Sequence, residues 1–140
     1  MWKVMLFLLL LAAHLNLTAL VPLLPGDPAP PWWVGGMLFW PFDVQSHTLL
    51  SGNSLNTLTP ILAITSGVLF LMACAALLRR LVPAHWFTRL IIVGAVLSIA
   101  LQVIWFSGWA LFPILVDIAL LWAVFSQQVT VHSLRAHSHD

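Results

Sequence analysis

A chain of 140 residues that is 61% hydrophobic and only 6% charged, with mean hydropathy +1.03, falls outside the soluble globular and disordered classes and points to lipid as its solvent. Five Lys and Arg against four acidic residues, all Asp, leave a net charge of +1 and no basic patch wide enough to neutralise several phosphates, which argues against nucleic acid as a partner. The single cysteine, Cys74, lies in an apolar run, rules out an internal disulfide and reads as a small buried apolar side chain.

The first apolar segment covers 4–24 and follows Trp2 and Lys3. At about 1.5 Å per residue it is long enough to cross a hydrocarbon core of roughly 30 Å. A basic start before an apolar run also describes a signal peptide, but this run is longer than the usual signal core, so the expectation is a retained first span. From 25 to 56 the texture changes. Six of the nine prolines fall between Pro22 and Pro41, which prevents a continuous helix, while Trp32, Trp33, Phe39, Trp40 and Phe42 are too apolar for a freely solvated loop. The segment is expected to lie on the membrane surface, with a short interfacial turn or helix at 34–40 and the indoles of Trp32, Trp33 and Trp40 at headgroup level. Those rings form either an aromatic belt or a ligand-stacking surface.

A second span is predicted over 58–78, with Pro60 in its first turn, where the missing amide donor costs little. It ends at Arg79-Arg80. A short connector leads to a third span over 88–106, and a tight turn at Ser107-Gly108, between Trp105 and Trp109, leads to a fourth over 109–126. Short links make helices two, three and four antiparallel neighbours, whereas the long first connection leaves helix one freer. Lys3, Arg79, Arg80, Arg89 and Arg135 then all fall on one side of a four-span arrangement, and Asp27 and Asp43 on the other. The positive-inside rule puts both termini, and the tail 127–140, in the cytoplasm. In that tail His137 and His139 form a His-x-His pair that suits a transition metal, although metal sites normally draw more ligands from a fixed scaffold.

The residue that most needs explanation is Asp117, because 107–127 holds no other charged side chain. A carboxyl group in mid-membrane costs roughly 2.5–3.5 kcal/mol and normally faces a partner, a cavity or a cofactor. Counting along the spans puts His14 at nearly the same depth, so the two are expected either to pair, as proton relays do, or to be satisfied separately by backbone or hydroxyl groups. Asn16 and Gln102, with Thr65 and Ser66, read as interhelical hydrogen-bonding groups, and Ala63-xxx-Gly67 and Gly94-xxx-Ser98 as close-packing positions. Asn16-Leu17-Thr18 has the form of a glycosylation sequon but falls inside a span. Pro113, early in helix four, is expected to free carbonyls near Asp117. A lone His14 after Ala12-Ala13 also suits axial ligation of a tetrapyrrole metal, small neighbours leaving room for the ring. His47 and His85 are expected at the interface.

No GxSxG, HExxH, CxxC, phosphate-binding loop or paired carboxylate occurs, so no catalytic residue is assigned. The stretches GAVLSIALQVIWF and ILVDIALLWAVF, joined by the Ser-Gly-Trp turn, resemble the closing hairpin of small bacterial four-span membrane proteins of unassigned function. That resemblance covers the third and fourth spans alone, and it implies the same topology and a bacterial inner-membrane setting. The expected fold is a single-domain, all-α, integral membrane four-helix bundle with both termini cytoplasmic and a long Pro/Trp-rich external loop between helices one and two. The expected function is a non-catalytic accessory or structural subunit of a larger membrane protein complex, contacting lipids and other integral membrane subunits and losing stability when extracted alone. The alternative is a small quinone-, lipid- or proton-handling protein built on Asp117 and His14, or a tetrapyrrole-binding subunit using His14.

Overall fold

The computed structural model describes residues 1–20, 47–50, 53–106, 110–126 and 128–136. The expectations for Trp32, Trp33 and Trp40, for the turn at 107–109 and for His137 and His139 lie outside these residues. Within them the chain is mostly helical: α1 Trp2–Leu17, α2 Asn53–Leu77, α3 Phe87–Ile104, α4 Leu111–Phe125 and a short α5 Val131–Ala136. Leu, Met and Ala favour helix in α1 and α2, and the β-branched residues of α3 are carried along because a helix satisfies its own backbone groups in apolar surroundings. Three stretches, Trp2–Leu20, Thr57–Leu77 and Ala84–Ile104, are long and apolar enough to cross a membrane; α4 is apolar but shorter.

Several predicted boundaries move. α1 stops at Leu17 and tightens into a 3₁₀ turn over Thr18–Leu20, where Thr18 Oγ1 donates to the Leu15 carbonyl at 2.7 Å. α2 begins at Asn53, so Pro60 lies inside the helix rather than in its first turn; there the ring removes one helical hydrogen bond and favours a kink. α3 gives way at Trp105-Phe106 to a strand, β2, that pairs antiparallel with β1, His47–Thr48, in the register His47 to Phe106 and Thr48 to Trp105. The Leu49 amide extends the ladder by donating to the Ile104 carbonyl at 3.0 Å. Two β-branched or aromatic residues at the end of an apolar helix gave no alternation by which to foresee it. His47 therefore sits in backbone pairing at this end of the fold.

α2 packs between α1 and α3, α3 packs on α4, and α4 closes back on α1. The main core runs from Met5, Leu9 and Ala13 of α1 through Phe70 and Leu77 of α2 and Ile91 of α3 to Leu120 and Val124 of α4. A smaller cluster of Ala63 and Leu101, with Ala19, Leu62 and Trp105 against it, lies at the ladder end. Small residues permit this closeness. A Cβ on Gly67 would stand 2.7 Å from Leu17 Cγ, and one on Gly94 3.2 Å from the Phe70 ring.

At its far end α2 closes with Arg80 N–H donating to the Ala75 carbonyl and Arg79 N–H to the Ala76 carbonyl, at 2.8 and 3.0 Å. This is the Schellman arrangement, with Arg79 in the left-handed region at φ 55°. Leu81 follows at φ 63° and is fully exposed. The segment after α4 does not behave as a loose polar tail: Val129, Val131 and Leu134 are buried in the main core. Thr130 and Ser133 cap α5 reciprocally, each accepting from the other's backbone N–H, at 3.2 and 2.9 Å.

Candidate functional site

Near the ladder end, three helices bring their polar side chains inward to one place. Asn16 of α1 uses both amide protons, donating to the Ala12 carbonyl at 2.8 Å and to Ser98 Oγ of α3 at 2.9 Å. The Ser98 hydroxyl in turn donates to the carboxyl group of Asp117 on α4. Gln102 stands one turn beyond Ser98 on α3, on the same buried side. All four residues are at most 1% exposed. Counting along the helices, Gln102 is about 3 Å and Asp117 about 9 Å inside the ladder end.

This chain of bonds is incomplete. Asn16 Oδ1, Asp117 Oδ2 and both polar atoms of the Gln102 amide are buried without a hydrogen-bond partner. An unsatisfied buried polar atom typically costs about 1–3 kcal/mol, and native folds carry few of them. Among the described residues these orphaned side-chain atoms are confined to this group of helix faces.

His14 does not share the inward orientation. It is exposed on the outer side of α1, whereas Asp117 is buried and bonded through Ser98. Asp117 is bonded through the Asn16–Ser98–Asp117 chain, the satisfaction by a hydroxyl group that the sequence reading holds as the alternative to a His14 pair, and rotation about the helix axis turns 14 and 16 to different sides. Ala12 and Ala13 are buried in the core, so they do not open space for a ring beside His14. Thr65 is exposed and faces outward, and Ser66 bonds back to the Leu62 carbonyl of its own helix at 2.7 Å. Asn16 does join helices as expected. Ser98, which the Gly94-xxx-Ser98 spacing marks only as a small packing residue, is also a bonding residue; the Ser98-xxx-Gln102 spacing, which puts both on one face of α3, is the sequence signal for it. A further side-chain bond ties β2 to α2, Trp105 Nε1 donating to Thr59 Oγ1 at 2.8 Å.

The outer surface has its own pattern. Leu111, Leu115, Ile118, Trp122 and Phe125 of α4 are each more than half exposed and repeat at alternating intervals of four and three. Beside this stripe, the seam between α1 and α4 holds an apolar groove of about 290 Å³, lined among others by Val4, Met5, Leu8, Trp122, Ala123 and Leu134. At the opposite end from the ladder, His85 and His132 border a smaller hollow of about 240 Å³ with Thr88 and Thr130. Among the described residues no three His, Cys, Asp or Glu side chains gather as a metal site would require.

Comparison with protein-family models, with curated proteins and with solved structures finds no match for the chain.

Proposed function

We propose that this protein is a non-catalytic accessory subunit of a larger membrane assembly. In this reading α1 to α4 all cross the membrane of a bacterial cell, both termini are cytoplasmic by the distribution of Lys and Arg, and the Trp32, Trp33 and Trp40 segment falls on the external side. The observation that carries it is the outer face of α4. Its fifteen residues reach about 22 Å, short of a ~30 Å hydrocarbon core, and a short helix is accommodated by thinning the bilayer or by associating with other helices. The face it offers is a row of large side chains at the four-three spacing by which one helix seats against another, next to a groove that can take the partner's side chains. The occupant is a membrane-spanning helix of another protein, with lipids covering the remaining faces.

The quinone-, lipid- or proton-handling reading has less support, since His14 is exposed while Asp117 is buried and bonded to Ser98. A tetrapyrrole on His14 would have to dock from outside the bundle, at a subunit boundary.

Site-specific photocrosslinking in intact membranes tests the proposal. A photoreactive residue at Ile118 is expected to give one protein adduct of defined mass, and the same residue at Val96, exposed on α3, to give lipid adducts only. Lipid adducts at both positions contradict the assignment.

A further inference from the structure

The orphaned atoms inside the fold are not needed for a docking surface, and their chemistry is uneven. Three are oxygens able to accept or coordinate: Asn16 Oδ1, Gln102 Oε1 and Asp117 Oδ2. Asn16 of α1 and Asp117 of α4 are joined through Ser98 of α3, and Gln102 stands one turn from Ser98 on the same buried side of α3. The Ser98 oxygen has a lone pair left after accepting from Asn16, which makes a fourth oxygen. Against these stands one orphaned donor, Gln102 Nε2.

We infer that Asn16, Ser98, Gln102 and Asp117 form a binding site for a monovalent metal cation of the sodium or potassium class. Neutral amide and hydroxyl oxygens with one carboxylate are the donors that a hard cation takes in a protein interior. The charge selects the valence. One carboxylate neutralises one positive charge, whereas a divalent ion would leave a net charge in apolar surroundings and normally recruits more carboxylates and six to eight oxygens. No other charged side chain lies in 107–127, and the basic residues Arg79, Arg80 and Arg89 stand on or beside the far ends of α2 and α3, so among the described residues none of these cations competes for the carboxylate. Gln102 Nε2, the remaining donor, suits a water that stays on the ion. Gln102 lies within a turn of the ladder end, nearer to it than the Asp117 carboxylate. The same ion removes two costs together, a buried carboxylate and orphaned amide oxygens.

The experiment is thermal unfolding of the full chain in lipid nanodiscs at fixed pH and ionic strength, with NaCl or KCl replacing choline chloride. The expected result is a saturable rise in Tm with one of the two metal ions. Asp117→Asn, which keeps the shape of the side chain, is expected to abolish the rise, and Gln102→Leu to weaken the apparent affinity at least tenfold. Thr65→Val, on the outer face of α2, is expected to leave it unchanged. If Asp117→Asn does not fold, Gln102→Leu carries the test alone. A wild-type Tm that is the same in Na⁺, K⁺ and choline overturns the inference; so does a rise that survives Gln102→Leu undiminished. Neither result bears on the α4 contact, which the photocrosslinking reads separately.

Discussion

Asn16 Nδ2 donates to Ser98 Oγ at 2.9 Å across 82 residues of chain, and that bond joins α1 to α3. It also fixes the direction of the next one. With its oxygen accepting from Asn16, the Ser98 hydroxyl turns its proton to Asp117 on α4. One serine therefore holds three helices in register. In apolar surroundings such interhelical bonds are worth about 0.6 to 2 kcal/mol each.

A double-mutant cycle with Asn16→Leu and Ser98→Ala should return a coupling energy in that range of about 0.6–2 kcal/mol when unfolding is followed in mixed micelles. Ser98→Ala alone should cost more than Asn16→Leu, because it deprives Asp117 of its donor as well as Asn16 of its acceptor. Equal single costs with no coupling would show that the chain of bonds is not formed.

Close packing supplies the second expectation. Phe70 is wholly buried, so a side chain at position 94 meets a ring that cannot move aside. Gly94→Val should destabilise by about 1–3 kcal/mol, the usual result of overpacking. Leu17 is partly exposed and can swing away from position 67, so Gly67→Ala should cost less than Gly94→Val. Midpoints of denaturant unfolding for the two variants decide the order.

The fully exposed Leu81 sits at φ 63°, a conformation that costs a non-glycine residue about 1–2 kcal/mol. Leu81→Gly should therefore raise stability, by up to about 1 kcal/mol once glycine's greater freedom in the unfolded chain is subtracted. Thermal unfolding of the two proteins side by side measures it.

His14 is exposed on α1. The absorption spectrum of the gently extracted protein reads its candidate role. A Soret or near-infrared band that disappears in His14→Leu would establish tetrapyrrole binding, and its absence leaves His14 as a surface residue.

The sequence carried the mostly helical fold and three helices long and apolar enough to cross a membrane, because unbroken apolar runs are hard to fold otherwise; the fourth expected span is the shorter helix α4. It also carried Asn16, Gln102 and Asp117 as the polar residues of the interior, since each is conspicuous among aliphatic neighbours. Rotation was not legible. Whether His14 or Asn16 turns inward depends on which face of α1 packs, and both faces are apolar, so the His14–Asp117 pairing had nothing in the spacing to exclude it. The β1–β2 ladder and the docked 129–134 segment depend on contacts between residues distant in sequence, which local pattern does not encode. The bonding role of Ser98 is not legible, because a serine among small residues looks the same whether it fills space or bonds.

The most direct measurement of the central claim, that the outer face of α4 seats against another membrane protein, is native mass spectrometry of the complex released from membranes into lipid nanodiscs. The account predicts a partner of fixed stoichiometry that is lost in Leu115→Ser and Trp122→Ser but kept in Val96→Ser. A lone chain, or a partner retained through both α4 substitutions, would contradict it.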